Sequence, residues 1–151
     1  MNKKRTSKFK QGVFKPNYPE KYKGSIPILY RSSYELKYMR WCDYNPAVIK
    51  WGSESIIIPY QNPLTNRVSR YFVDFNITIK SKAGELKKYL IEIKPSVQTV
   101  PPKPGKKKNT KSLLRRQAEY IKNMKKWEAA TAWSKKKGYE FTILTEKHLG
   151  L

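Results

Sequence analysis

Over residues 1–30 the apolar and polar positions follow no sustained period. "FKPNYPEKYKGSIPILY" mixes aromatic, basic and proline residues, which predicts an extension packed on a domain. The pattern changes at "RSSYELKYMRWCDYNP". Apolar residues there recur at helical spacing, Ser32 or Ser33 offers an N-cap and Asn45-Pro46 a stop, so a helix is expected over residues 33–44. "AVIKWG", "ESIIIPYQNP" and "RYFVDFNITIK" then read as three strands, and in the last of them Val73, Phe75, Ile77 and Ile79 alternate with other residues. "SKAGEL" supplies a turn, "YLIEIK" a further strand, and the Pro- and Lys-rich stretch at 95–110 a loop. Residues 111–137 predict a long basic helix with Leu114, Ala118, Ile121, Met124, Trp127 and Thr131 turned inward and Gly138 as its C-cap; "YEFTILTE" is the last strand. Helix, strands, helix, strand is the order of an α/β fold, a mixed sheet flanked by helices, forming one domain over residues 31–151.

Strand parity places chemistry on this frame. Side chains alternate faces with period two, so Glu92 and Lys94 share one face of "YLIEIK" while Ile91 and Ile93 take the other. Asp74 likewise lies opposite the apolar set of the preceding strand. Directly opposed residues of an antiparallel pair point to the same side. A two-residue turn at Ala83-Gly84 would set Asp74 against Ile93 and break the pattern. A three-residue loop, Lys82-Ala83-Gly84, sets it against Glu92 and puts Gly84 where a left-handed residue is wanted. The expectation is therefore that Asp74, Glu92 and Lys94 converge.

Composition narrows what such a cluster can do. The chain has 151 residues, the size of one domain, and 33 Lys+Arg against 11 Asp+Glu give a formal net charge of +22. A chain of that charge seeks a polyanion, with nucleic acid first in line. Apolar runs are too short to span a bilayer, and "MNKKRTSKFKQG" carries no apolar segment of a signal peptide, so neither a membrane partner nor secretion is expected. One cysteine, Cys42, and one histidine, His148, leave no material for disulfide frameworks, thiolate zinc sites or His-based hydrolysis. Any catalysis has to be built from carboxylates, lysine and a hard metal.

Two opposed carboxylates beneath a helix repel and lose hydration, at a cost on the order of several kcal/mol per ion if buried. Lys94 can offset part of this, and Mg²⁺, which takes hard oxygen ligands and keeps several waters, the rest. That is a site for phosphodiester hydrolysis. The same residues also fit an exposed Glu92-Lys94 pair worth ~0–1 kcal/mol with Asp74 as an edge solubiliser. Glu35 shares a helical stripe with Tyr38, Met39 and Cys42, which makes it a third candidate acid; Ser32-Ser33-Tyr34-Glu35 equally reads as a capping box. Glu54 ranks below it.

The order of a helix acid in "RSSYE", an Asp in "YFVDF" and Glu-x-Lys in "IEIKPS", followed by a basic helix and a strand, resembles the PD-(D/E)xK nuclease superfamily. Within that superfamily the chain is similar to TnsA-like endonucleases and to the head-completion nucleases of large tailed phages, in "NYPEKYKG", "RSSYELKYMRWCDYNPAVIKW", "KKWEAA" and "YEFTILTE". The resemblance implies a restriction-endonuclease-like αβββαβ core, Glu35, Asp74 and Glu92 as metal-binding acids, Lys94 as the catalytic lysine, and Gln117 as an auxiliary residue on the following helix. Val73 stands where the family has Pro, a change of backbone shape and not of ligand atoms. The resemblance also implies Mg²⁺, with Mn²⁺ as a substitute, double-stranded or branched DNA as substrate, portal and head-vertex proteins as partners, and a place in the virion or host cytoplasm. Lys106, Lys107 and Lys108 of the loop, with Arg115 and Arg116 of the helix, are the expected DNA contacts. Two other classes stay open: a non-catalytic virion protein gripping packaged DNA, and an RNA-binding protein of ribosomal type.

Overall fold

The computed structural model describes residues 11–105 and 110–150. Two short antiparallel strands, β1 (Gly12–Phe14) and β2 (Ile28–Tyr30), frame a single 3₁₀ turn at Pro19–Lys21 and lead into helix α1 (Ser33–Tyr44). Strands β3 (Val48–Ser53), β4 (Ile57–Asn62), β5 (Arg67–Phe72), β6 (Phe75–Lys80) and β7 (Leu86–Ile93) follow. A second 3₁₀ turn at Ser96–Thr99, helix α2 (Lys111–Lys137) and strand β8 (Tyr139–Leu144) complete the order. The central sheet runs β3-β6-β7-β8, with β8 parallel to β7 and the other neighbours antiparallel. The fold is the expected mixed α/β sandwich, consistent with a restriction-endonuclease-like core.

α1 starts and stops where its caps dictate. The Ser32 side chain accepts from the Glu35 N–H at 3.1 Å, and Asn45 closes the other end through its N–H to the Trp41 carbonyl. The freed carbonyls at that end are collected by Lys21, whose ammonium donates to Cys42, Asp43 and Asn45 oxygens at 2.6, 2.8 and 2.9 Å. Buried Asp43 in turn accepts from the backbone N–H groups of Asn17 and Tyr18, each at 2.9 Å. The lead-in thus docks as a clamp on α1, and Phe14 and Ile28 enter the core on that face. Its Lys23 N–H also reaches the Trp51 carbonyl at 2.8 Å, covering the outer edge of β3.

The core is two clusters, one on each face of the sheet. Under α1, Tyr38, Met39 and Cys42 pack on Val48, Trp51, Phe75, Ile77, Ile91 and Ile93. On the other face Trp127 and Ala130 of α2 pack on Leu90 and on Ile58, Tyr60, Tyr71 and Val73. Two expectations are corrected here. "RYFVDFNITIK" is not one strand: it breaks at Val73–Asp74, β5 pairing with β4 in a separate two-stranded ribbon and β6 entering the central sheet. The αβββαβ order survives as α1, β3, β6, β7, α2, β8, with the ribbon inserted between β3 and β6.

The inward stripe of α2 is also different. Leu114, Ile121 and Met124 are 56%, 49% and 45% exposed, while Leu113, Asn123, Trp127, Ala130 and Ser134 are buried. The helix is anchored by Trp127, and small Ala130 packs beside it on the ribbon residues. Among the described residues no helix is long and apolar enough to cross a membrane.

Candidate active site

The β6-β7 hairpin sets the site's register. Phe75 pairs with Ile91, Ile77 with Tyr89 and Lys80 with Leu86, so residue numbers across the ladder have a constant sum. Ser81 N–H reaches the Glu85 carbonyl at 2.8 Å, which leaves Lys82-Ala83-Gly84 as the three-residue loop, and Gly84 has φ 86°. Continued beyond Phe75, this register places Asp74 opposite Glu92. Both side chains point to the α2 face, since Phe75, Ile91 and Ile93 fill the other.

The break between β5 and β6 is what frees Asp74 from the ladder. Its carbonyl accepts from Glu54 N–H at 3.0 Å, and its Oδ2 accepts from Ile93 N–H at 2.8 Å, so the carboxylate caps the end of β7. Glu92 is 4% exposed; one oxygen accepts from the Tyr71 hydroxyl and the other lies 3.7 Å from the Lys94 ammonium. Lys94 extends the β7-β8 pairing through its N–H to the Leu144 carbonyl at 3.0 Å, and Pro95 then stops the strand. The loop after it is pinned by Glu146, which accepts from Ser96 N–H at 2.8 Å and from its hydroxyl.

Burial, then the neighbouring charge of Glu92, holds the Asp74 carboxyl well above the usual carboxylate range, and the Ile93 N–H and Lys94 do not cancel this. Glu92 is pushed up by burial against the opposing pull of Tyr71, Lys94 and Lys126. Two acids that resist ionising side by side favour a positive charge beside them.

Glu35 stands near enough for its charge to raise Asp74 further. Its own carboxyl is raised by burial, opposed by the Arg31 N–H that donates to it at 2.5 Å. It therefore serves α1 as a cap, bonded to the residue before the N-cap. Among the described residues no three acid, imidazole or thiol side chains form a ready metal cage. What the donor set fits is a hard cation on two carboxylates that keeps several of its waters, the habit of Mg²⁺.

The remaining expected residues separate. Arg115 and Arg116 are exposed on the second turn of α2, Lys106, Lys107 and Lys108 lie outside the described residues, and Glu54 pairs with Arg31. Gln117 is half-buried on α2, nine residues before Lys126 and so about half a turn around and ~13 Å along an ideal helix from it. Tyr71 and Lys126 escaped the sequence reading. Lys126 stands over the rings of Tyr60 and Tyr71 and acts electrostatically on Glu92. Only the fold of the β4-β5 ribbon against α2 brings these residues to Glu92, and no spacing along the chain signals it.

Comparison with known proteins finds two likenesses. The family described as "TnsA-like endonuclease N terminal" matches residues 45–146, a span that holds Asp74, Glu92 and Lys94. The head completion nuclease of Enterobacteria phage T4 is 37% identical over 142 residues, which covers 91% of this chain and 92% of that protein.

Proposed function

This chain belongs to the TnsA-like endonuclease family, and from that membership we propose that it is a Mg²⁺-dependent DNA endonuclease of phage head completion. Its substrate on this reading is double-stranded or branched DNA at the packaged genome end, cut in the virion or host cytoplasm beside portal and head-vertex proteins. Mn²⁺ replaces Mg²⁺.

The observation that supports this most is the opposition of Asp74 and Glu92 with Lys94 3.7 Å from a Glu92 oxygen. Asp74 and Glu92 would hold the cation, with Glu35 as the third acid. Bound there, a divalent cation would supply polarisation of the phosphodiester and a lowered pKa for a bound water. Ile93 N–H holds one oxygen of Asp74 and the Tyr71 hydroxyl one oxygen of Glu92, which fixes how both carboxylates are turned. Lys94 orients the attacking water and steadies the charge that develops on the phosphoryl oxygens. Arg115 and Arg116, with Lys106, Lys107 and Lys108, carry DNA to this point by phosphate contacts.

The test compares wild type with Glu92→Ala and Lys94→Ala on linear, circular and branched DNA, with Mg²⁺ and with chelator, alongside DNA affinity. Metal-dependent cleavage that falls by about 10²-fold or more in both variants, with affinity kept, is the expected result. Tight, salt-sensitive binding without cleavage by any form would instead assign a non-catalytic role gripping packaged DNA.

A further inference from the structure

Three lysines sit in the middle of α2, and two of them have partners. Lys122 pairs with Glu119 at 3.0 Å and Lys125 with Glu128 at 3.5 Å. Lys126 is half-buried and, among the described residues, has no carboxylate within ion-pair distance. Its ammonium lies instead 5.8 Å from the Tyr60 ring centroid and 5.5 Å from that of Tyr71. Aromatic faces hold a cation in place without neutralising it. The Tyr71 ring has a second task, since its hydroxyl donates to Glu92. One side chain therefore fixes both the carboxylate and the ammonium beside it.

Lys94, the residue after β7, and Lys126 from α2 approach Glu92 from different parts of the fold, and both act on its charge. The two ammonium groups also repel one another. Lys94 and Lys126 thus put two positive groups beside the acid pair. A nucleic-acid strand offers the matching pair, the scissile phosphate and its neighbour.

The position of Lys126 on α2 fits this use. Arg115, Glu119, Lys122 and Lys126 are spaced four, three and four residues apart, a row along one side of the helix that ends at the acids. Exposed Arg115 begins it and half-buried Lys126 closes it.

We propose that Lys126 is a second phosphate-binding residue of the site, holding the phosphate adjacent to the scissile one while Lys94 serves the reacting one. The assignment rests on the nuclease reading above. It differs from a purely structural role, in which Lys126 only balances Glu92.

The experiment measures affinity of the full chain for a 20-base-pair duplex in chelator over a range of salt, for wild type, Lys126→Gln and Lys126→Arg, with a thermal melt of each. A phosphate contact contributes about 0.9 to the slope of log affinity against log salt. Lys126→Gln is expected to lose about that much, Lys126→Arg to keep it, and in Mg²⁺ the glutamine variant is expected to raise KM more than it lowers kcat. A slope unchanged in Lys126→Gln overturns the proposal, and a lowered melt restored by adding Glu92→Gln then assigns the structural role. Binding is read without cleavage, so the two readings fail separately. A wild type that never cuts DNA while Lys126→Gln loses slope sinks the nuclease and keeps the contact; a wild type that cuts, with the slope unmoved, sinks the contact alone.

Discussion

Asp74 is held between two demands. Its backbone and Oδ2 are tied into the ends of β3 and β7, through Glu54 N–H and Ile93 N–H, while its charge faces Glu92. Without a cation, ionising both acids opposes folding. The sign follows from the direction of the shift: a folded-state pKa above the unfolded one contributes stability that is complete below the unfolded pKa and is lost as pH rises through the folded one. Metal-free protein should therefore be more stable in mild acid than at pH 8. Asp74→Asn keeps an acceptor for Ile93 N–H and removes the repulsion, so in chelator at pH 8 it should melt higher than wild type, by on the order of 1–3 kcal/mol. The gain should vanish toward pH 4 and shrink with added Mg²⁺, which stabilises the wild type by mass action. Thermal melts across pH with and without Mg²⁺ check this; a variant no more stable than wild type at pH 8 would show that the acid pair carries no strain.

At the scale of elements, α1 owes its lower end to a residue 21 positions upstream of the nearest carbonyl it serves. Lys21 satisfies three carbonyl oxygens that a helix C-terminus leaves without partners, and it is positioned by the Pro19–Lys21 turn. Lys21→Met keeps the stem and removes the donors, which should cost about 2–3 kcal/mol in denaturant unfolding. DNA cleavage per folded molecule should stay near the wild-type level, because the clamp lies on the side of the sheet away from Glu92. A loss of cleavage without loss of stability would place the lead-in at the substrate instead. The clamp was not legible in the sequence, where "NYPEKYKG" shows only basic and aromatic character. The hairpin was legible, because loop length and glycine position decide register by parity alone, and that register brought Asp74 opposite Glu92 on paper. The break at Val73–Asp74 was hidden for the same reason: side chains keep alternating through it, so parity gives no sign that β5 and β6 lie in different sheets. The face of α2 is not legible from side-chain size, because its large residues are not its buried ones. Leu114, Ile121 and Met124 face outward, and polar Asn123 and Ser134 are buried.

For the molecule as a whole, the net charge of +22 and the acid pair set apart binding from chemistry. Attraction between the basic surface and DNA comes from release of counterions, a term that depends on the number of phosphates neutralised and on salt. The two carboxylates contribute nothing favourable to it; their part is to hold the cation that the chemistry needs. Removing metal should therefore abolish cleavage while leaving duplex affinity largely intact at a given salt concentration. Raising salt should do the reverse first, weakening affinity by roughly 10³-fold or more between 50 and 200 mM if about six phosphates are contacted. Cleavage at saturating DNA should change far less over that range, since Asp74, Glu92 and Lys94 are screened by burial and lie closer together than a Debye length of about 8–10 Å. Anisotropy titrations and single-turnover cleavage over the same salt series separate the two quantities. Affinity that hardly moves with salt would mean that recognition runs through base edges or a folded partner surface, and that the charge of this chain serves something other than holding DNA.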